Sequence, residues 1–229
     1  YALLAGSDSY PDLFVGRFSA ENAAHVQTQV LRSVTYEKDP MAGAAWYHQG
    51  TGIASNQGPG DDGEYDNQHM DIIRTKLLGY GYTQVDQIYD PSGTITMVSN
   101  ALNNGRSIIS YCGHGSTDSW STTGFSNSNV AALTNDWMLP FITSVACVNG
   151  QFNGYTCFAE AWLRSTHNGS PIGAIGTYMS SINQSWNPPM CAEDAVNDLL
   201  VQGEMFTYGG LCYNGSCQMI DEYGGDGSD

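Results

Sequence analysis

The chain has 229 residues, with only 7 lysines and arginines against 23 aspartates and glutamates; the formal charge of -16 repels nucleic acid and anionic lipid and favours basic partners. A hydrophobic content of 41% fits a globular core, and no apolar run approaches the length that spans a bilayer. The length reads as one large domain over residues 1–229.

Short apolar runs alternate with amphipathic stretches along most of the chain, which predicts an α/β fold: a mostly parallel sheet flanked by helices. Residues 12–18 read as a strand. Ser19 follows as the N-cap of a helix with Val26, Val30 and Val34 at i, i+4 and i+8. Residues 52–55 are a buried strand, leading through the turn-rich segment 56–63 into a helix from Asp66 to Leu78 that Gly79 closes. Residues 84–89 form a strand and 97–102 a short helix. Strands at 106–111 and 139–146 enclose a polar segment with a helical piece near 130–133. A helix at 157–165, a strand at 172–178 and a helix at 191–200 complete the alternation. After Gly203 the chain is rich in Gly and Tyr, and its acidic end from Gly224 reads as mobile or truncated.

The six cysteines are too few for a disulfide scaffold and lack the paired CxxC spacing of zinc sites. Asn214-Gly215 reads as a turn that lets Cys212 and Cys217 close a small disulfide. The chain opens at Tyr1 without a signal-peptide pattern and reads as a processed or excised segment. Its acidity, few lysines and expected disulfide point to a secreted or cell-surface location.

In an open α/β sheet, ligands bind beyond the carboxyl ends of the strands. One predicted strand runs out into Gly113-His114-Gly115, and another ends at Ala146-Cys147. A thiol acts as a nucleophile in its thiolate form and so requires a base that takes its proton. The 33 residues between His114 and Cys147 suit a strand, a connection and a second strand, which sets both side chains at one end of the sheet. The Gly115 and Cys147 N–H groups then face a developing oxyanion. Taken singly, Cys147 reads as a buried hydrophobe and His114 as a surface residue; the pair carries the argument. Cys112, within the strand itself, reads as core.

The two hydrophobic blocks, one ending in His-Gly and the other in Ala-Cys, resemble the caspase–hemoglobinase clan of cysteine peptidases. Longer segments are similar to the arginine-specific gingipains: Gly113 to Ser116, Thr143 to Gly150, Phe158 to Glu160, Ser181 to Trp186, Val15 to Ser19 and Gly63 to Asp66. The similarity extends from about residue 10 to residue 223.

The resemblance implies a caspase-like three-layer sandwich and a cysteine endopeptidase that cleaves after a basic residue, Arg preferred. It implies Cys147 as nucleophile and His114 as acid/base. Asp66 falls at the floor of the pocket for the substrate's basic side chain, with Trp186 over that side chain and Met190 in the pocket wall. By position alone, Asp66 reads as a helix cap or dipole partner. The residue matching the family's histidine-orienting Glu is Gln57, a weaker partner for an imidazolium. Asp61 or Asp62 takes that role instead, or a Cys-His dyad suffices. The resemblance also implies that most of the family's N-terminal subdomain and its last sheet segment lie outside this chain, with further segments of one precursor as partners.

The expected chemistry needs no cofactor, and the resemblance adds structural calcium at no particular residues. The expected partners are polypeptides with Arg or Lys at the cleavage position. Two rival readings stand beside the peptidase: a non-catalytic extracellular assembly or adhesion module, and an acidic calcium-binding surface protein. The second lacks EF-hand spacing.

Overall fold

Residues along the central apolar runs alternate between two buried faces, and this period of two decides the architecture. In the computed structural model, which describes residues 2–224, the strands are β1 (Gln49–Ala54), β2 (Gln84–Tyr89), β3 (Ile108–Cys112), the short β4 (Gly115–Ser116), β5 (Ser119–Trp120) and β6 (Phe125–Ser126), β7 (Phe141–Val145), the short β8 (Thr166–His167) and β9 (Ser170–Pro171), and β10 (Gly176–Met179). The helices are α1 (Ala23–Lys38), α2 (Asp66–Tyr80), α3 (Ile95–Asn103), α4 (Asn127–Ala131), α5 (Phe158–Arg164), α6 (Asn187–Gln202) and α7 (Tyr208–Tyr223). The main sheet has the order β10-β7-β3-β1-β2 with all neighbours parallel.

Ile53, Ile109, Tyr111 and Ile142 point to one face, where Leu102 of α3, Val130 of α4 and Phe158 and Trp162 of α5 close over them. Ala54, Ile108, Cys112 and Val145 point to the other, under Met70, Ile73 and Leu77 of α2 and Met190 of α6. This is the expected three-layer α/β sandwich. Each large apolar side chain so buried contributes about 1.5–3 kcal/mol of transfer free energy.

The register sets the site. β3 pairs with β7 so that Cys112 lies opposite Val145. The two central strands therefore end level, and the residues that follow them emerge side by side. After β3 the chain forms a small antiparallel meander, β4-β5-β6, which anchors Trp120 in the core.

Several local expectations are corrected. Residues 12–18 join no strand, and Leu13, Phe14, Val15 and Phe18 are exposed. α1 is capped by Asn22, whose side chain accepts from the His25 N–H, rather than by Ser19. Its valine stripe, Val26, Val30 and Val34, faces outward, while Gln29 and Arg32 are buried. The Arg32 guanidinium donates to the carbonyls of Trp162, Ala174 and Ser165, acceptors that an aliphatic side chain would leave unsatisfied.

α2 runs through Gly79 and stops at Gly81, whose φ of 124° ends the helix. β10 starts at Gly176, later than the expected 172. The segment from Tyr208 is a helix despite its glycines, because Gly215 lets α7 approach α6: a Cβ there would lie 2.8 Å from the Ala192 carbonyl oxygen. Asn214-Gly215 is thus helical rather than a turn, Cys212 and Cys217 sit five positions apart on α7, and both are free thiols. The acidic end from residue 225 lies outside the described residues.

Candidate active site

His114 leaves β3 through Gly113, where a Cβ would lie 2.8 Å from Thr122 Oγ1 and 2.9 Å from the Tyr111 hydroxyl. The carbonyl of His114 accepts from the Tyr111 hydroxyl at 2.6 Å and from the Ser121 N–H at 2.9 Å, so the backbone under the imidazole is held from two sides. The ring itself is exposed. Its Nε2 lies 2.9 Å from Gln57 Oε1, and because that oxygen only accepts, Nε2 carries the proton.

Cys147 follows β7 at the top of the neighbouring strand. Its sulfur accepts from the Gln184 N–H at 3.4 Å and lies 3.7 Å from the Gln184 carbonyl oxygen. The thiol and the imidazole share the carboxyl end of the sheet without a hydrogen bond between them, a separation common in substrate-free sites. The loop that carries Cys147 is fastened to residues 180–184: Ala146 N–H donates to Gln184 Oε1 at 3.1 Å, Val148 N–H to Ile182 O at 2.9 Å and Gly150 N–H to Ser180 O at 2.7 Å. Val148 adopts a φ of 52°, so the turn is tight.

The histidine and cysteine loops are also tied to each other. Asn149 is fully buried; its Nδ2 donates to Ser116 O at 2.6 Å and Ser119 O at 3.1 Å, while its Oδ1 accepts from Ser144 Oγ at 3.0 Å. Ser144 Oγ in turn accepts from the Trp120 indole at 2.9 Å. Gly115 packs into this junction: a Cβ on it would lie 2.8 Å from Asn149 Nδ2 and 2.9 Å from the Cys147 carbonyl oxygen.

Asp66 is the first residue of α2 and is completely buried. Its Oδ1 accepts from the Trp186 indole at 2.7 Å, and its Oδ2 accepts from the Ser55 hydroxyl. Its N–H donates to Gln57 O at 2.9 Å, which links the pocket floor to the partner of His114. Trp186 stands between Asp66 and the histidine, edge-on to the imidazole with ring centroids 5.0 Å apart. Met190, fully buried, packs with Trp186 against Gly60, where a Cβ would lie 2.3 Å from Met190 Sδ and 2.6 Å from Trp186 Cδ1. The structure thus gathers Gln57, Asp66, His114, Gly115, Cys147, Trp186 and Met190 at one end of the sheet. Asp61 and Asp62 lie apart from His114, in a separate acidic cleft with Glu64 and Asp194.

Gly60, Asn149 and Gln184 escape sequence reasoning, because each acts through a neighbour distant in the chain. His69 and Glu193 escape it too. His69 is buried on α2 with Nδ1 3.2 Å from Glu64 Oε2 and 3.5 Å from Asp194 Oδ2, and Nε2 3.4 Å from Glu193 Oε2. Desolvation pulls its pKa down, but the surrounding carboxylates, Glu193 foremost, raise it to about 10.

A thiol and an imidazole at the ends of adjacent parallel strands, beside a buried carboxylate pocket, define a cysteine-peptidase type of site. The profile of peptidase family C25 matches residues 1–224, and the chain belongs to that family. It is 40% identical to Gingipain R2 of Porphyromonas gingivalis over 234 aligned residues, covering 99% of this chain and 32% of that relative. Against a Lys-gingipain of the same organism the identity is 26% over 81% of this chain. The crystal structure of the Arg-specific cysteine proteinase gingipain R superposes with a TM-score of 0.94 at 39% identity, covering 97% of this chain and 53% of that one. A complex of RgpB pro- and mature domains superposes with a TM-score of 0.95 at 40% identity. The chain spans about a third of the length of Gingipain R2 and about half of each of these solved chains.

Proposed function

We propose that the chain is the catalytic portion of a cysteine endopeptidase that cleaves after a basic residue, with Arg preferred. The observation that carries this reading is the buried Asp66 beneath Trp186, next to the His114 and Cys147 strand ends. A guanidinium entering the pocket meets a carboxylate in a dry site, where a two-point charge-assisted pair favours Arg over Lys.

His114 takes the proton of the Cys147 thiol, and the thiolate adds to the carbonyl carbon on the C-terminal side of the basic residue. The Gly115 and Cys147 N–H groups receive the oxyanion. Support for this comes from the packing of Gly115 against the Cys147 carbonyl. Collapse expels the amine, which takes the proton from His114. Water then gives a proton to His114 and attacks the thioester, the acid leaves, and the thiol regains its proton. Gln57 orients the imidazole by accepting from Nε2, leaving Nδ1 for the thiol.

The family's chemistry resides in its cysteine and needs no cofactor. For calcium, among the described residues the one closely spaced trio of Asp, Glu, His or Cys ligands is Glu64, His69 and Asp194. Its imidazole does not fit calcium's all-oxygen shell. Among the described residues no helix is long and apolar enough to cross a membrane, and we place the protein in the secreted or cell-surface setting its charge suits. A pro-segment of the same precursor is a natural partner, by analogy with the relative solved with its pro-domain.

The test is covalent trapping. A peptide ending in an arginyl chloromethyl ketone should add one label per chain, on Cys147, faster than its lysyl or alanyl counterparts. Equal and slow labelling of all three would favour the non-catalytic assembly or adhesion reading, in which the neutral Gln57 marks lost turnover.

A further inference from the structure

We infer that Gln184 is a positioning residue for the nucleophile: its side chain takes the place of its own backbone carbonyl in the bonding between two loops, and so turns the Gln184 N–H onto the Cys147 sulfur. For its effect on turnover the inference rests on the peptidase reading; the geometry it concerns is that of the thiol itself.

The two loops meet in a fixed register. Gly150 N–H donates to Ser180 O at 2.7 Å and Val148 N–H to Ile182 O at 2.9 Å, so alternate N–H groups of one segment meet alternate carbonyls of another that runs the opposite way. Continued by one step, this register brings the Ala146 N–H to the Gln184 carbonyl. The Ala146 N–H instead donates to Gln184 Oε1 at 3.1 Å. With the acceptor's place filled by the side chain, the backbone of residue 184 turns to the nucleophile. Its N–H lies 3.4 Å from Cys147 Sγ and its carbonyl oxygen 3.7 Å from the same atom.

The peptide that the side chain grips is the one that leads to the nucleophile. The carbonyl of Val145, the other half of that peptide unit, accepts at 3.1 Å from the N–H of Gly113, on the turn that carries His114. The Val145–Ala146 plane is therefore pinned by its oxygen to the histidine turn and by its nitrogen to Gln184. A planar unit held at both ends fixes the direction in which the chain leaves it, and Cys147 follows directly.

An N–H aimed at sulfur has a chemical consequence. It contributes little to a neutral thiol and more once the sulfur is charged, because hydrogen bonds to ionised groups are roughly twice as strong as neutral ones. The attacking form is thus favoured by a donor that folding has aimed in advance. Trp186, two residues further on, donates to Asp66, so one short segment sets both the pocket and the nucleophile.

The test compares the intact, reduced wild type with three variants. Gln184→Leu keeps the bulk and removes the acceptor, Gln184→Ala removes both, and Gln184→Glu keeps the acceptor. In the first two, the carbonyl of residue 184 is free to take the Ala146 N–H, and the N–H of residue 184 leaves the sulfur. Iodoacetamide should then alkylate Cys147 about fivefold more slowly, read by peptide mapping, and kcat on an Arg peptide should fall about tenfold with KM within about twofold. In Gln184→Glu the maximum of kcat across the pH profile should return to within about threefold of the wild type, with the acid limb moved to higher pH by the added charge beside the sulfur. Gln184→Ala keeps the test sound if Gln184→Leu fails to fold. Alkylation unchanged in Gln184→Leu and Gln184→Ala, or a Gln184→Glu maximum no higher than theirs, would overturn the inference. A wild type that turns over no Arg peptide would sink the peptidase reading instead, and the alkylation rates would still decide the role of Gln184.

Discussion

The indole N–H of Trp186 donates to Asp66 Oδ1 at 2.7 Å, while the Ser55 hydroxyl donates to Oδ2. Each oxygen of the buried carboxylate therefore already accepts one bond from within the chain, and a substrate guanidinium that pairs with both oxygens shares them with the indole and the hydroxyl.

Trp186→Phe retains a ring and removes the donor. Leaving Oδ1 buried and unpaired should cost about 1–3 kcal/mol of stability. An arginine-containing inhibitor should then raise the melting temperature more in the variant than in the wild type. Equal shifts would show that the indole does not compete with the ligand.

Gln57→Glu places a charge where Gln57 Oε1 now meets His114 Nε2 at 2.9 Å. A carboxylate favours the imidazolium, so the acid limb of the kcat/KM profile should shift to higher pH in the variant. Gln57→Ala should lower kcat, since the ring loses its orienting partner. A pH profile unchanged in both variants would place Gln57 outside the machinery.

Asn149→Ala removes the clamp between the histidine and cysteine loops. Its two donated bonds, to Ser116 O and Ser119 O, leave with it, and Ser144 loses a partner. The expected loss is about 2–4 kcal/mol in stability, as in other broken buried polar networks. Denaturant melts give the stability, and kcat should fall more than KM rises because the two loops lose register.

Thiol reactivity should be selective. Burial pushes the thiols of Cys191 and Cys212 up to about 12, and burial together with Asp66 raises Cys112. A thiol with a raised pKa holds almost no thiolate at pH 7.5 and reacts slowly. Brief iodoacetamide treatment of the folded protein should label Cys147 and spare these three, as peptide mapping by mass spectrometry would read.

Arg106 and Asp86 pair at 2.7 Å at the foot of β3 and β2, with Arg106 buried. Desolvation raises the Asp86 carboxyl, but Arg106, together with Gln84 and Thr51, outweighs it and holds the carboxyl below its ordinary value. A carboxyl with a lowered folded pKa contributes stability that is present above its unfolded pKa and lost as pH falls through the folded value. Asp86→Asn should therefore cost about 1.5–3 kcal/mol at pH 7. The gap to the wild type should close as pH drops below about 4.

The sheet was legible because buried parallel strands are continuous apolar runs. Ile108–Cys112 and Phe141–Val145 stand within two residues of the runs 106–111 and 139–146 that the sequence marks. The outer helices were less so. The valine stripe of α1 predicts the wrong buried face, since what Arg32 satisfies are carbonyls 130 and 142 residues away in sequence. α7 was hidden by glycines that read as helix breakers until α6 is seen pressed against Gly215. At the site, Cys147 and His114 stand out because reactive side chains at strand ends form a local pattern. Gly60, Asn149 and Gln184 do not, because each matters only through contacts that folding creates.

The measurement that bears most directly on the central claim is cleavage of matched fluorogenic peptides ending in Arg, Lys or Ala by the intact, reduced protein, with Cys147→Ala and Asp66→Asn beside it. The account predicts Arg-selective turnover that vanishes in Cys147→Ala and loses its preference for Arg in Asp66→Asn. Turnover that survives Cys147→Ala, or an Arg preference untouched by Asp66→Asn, would contradict it.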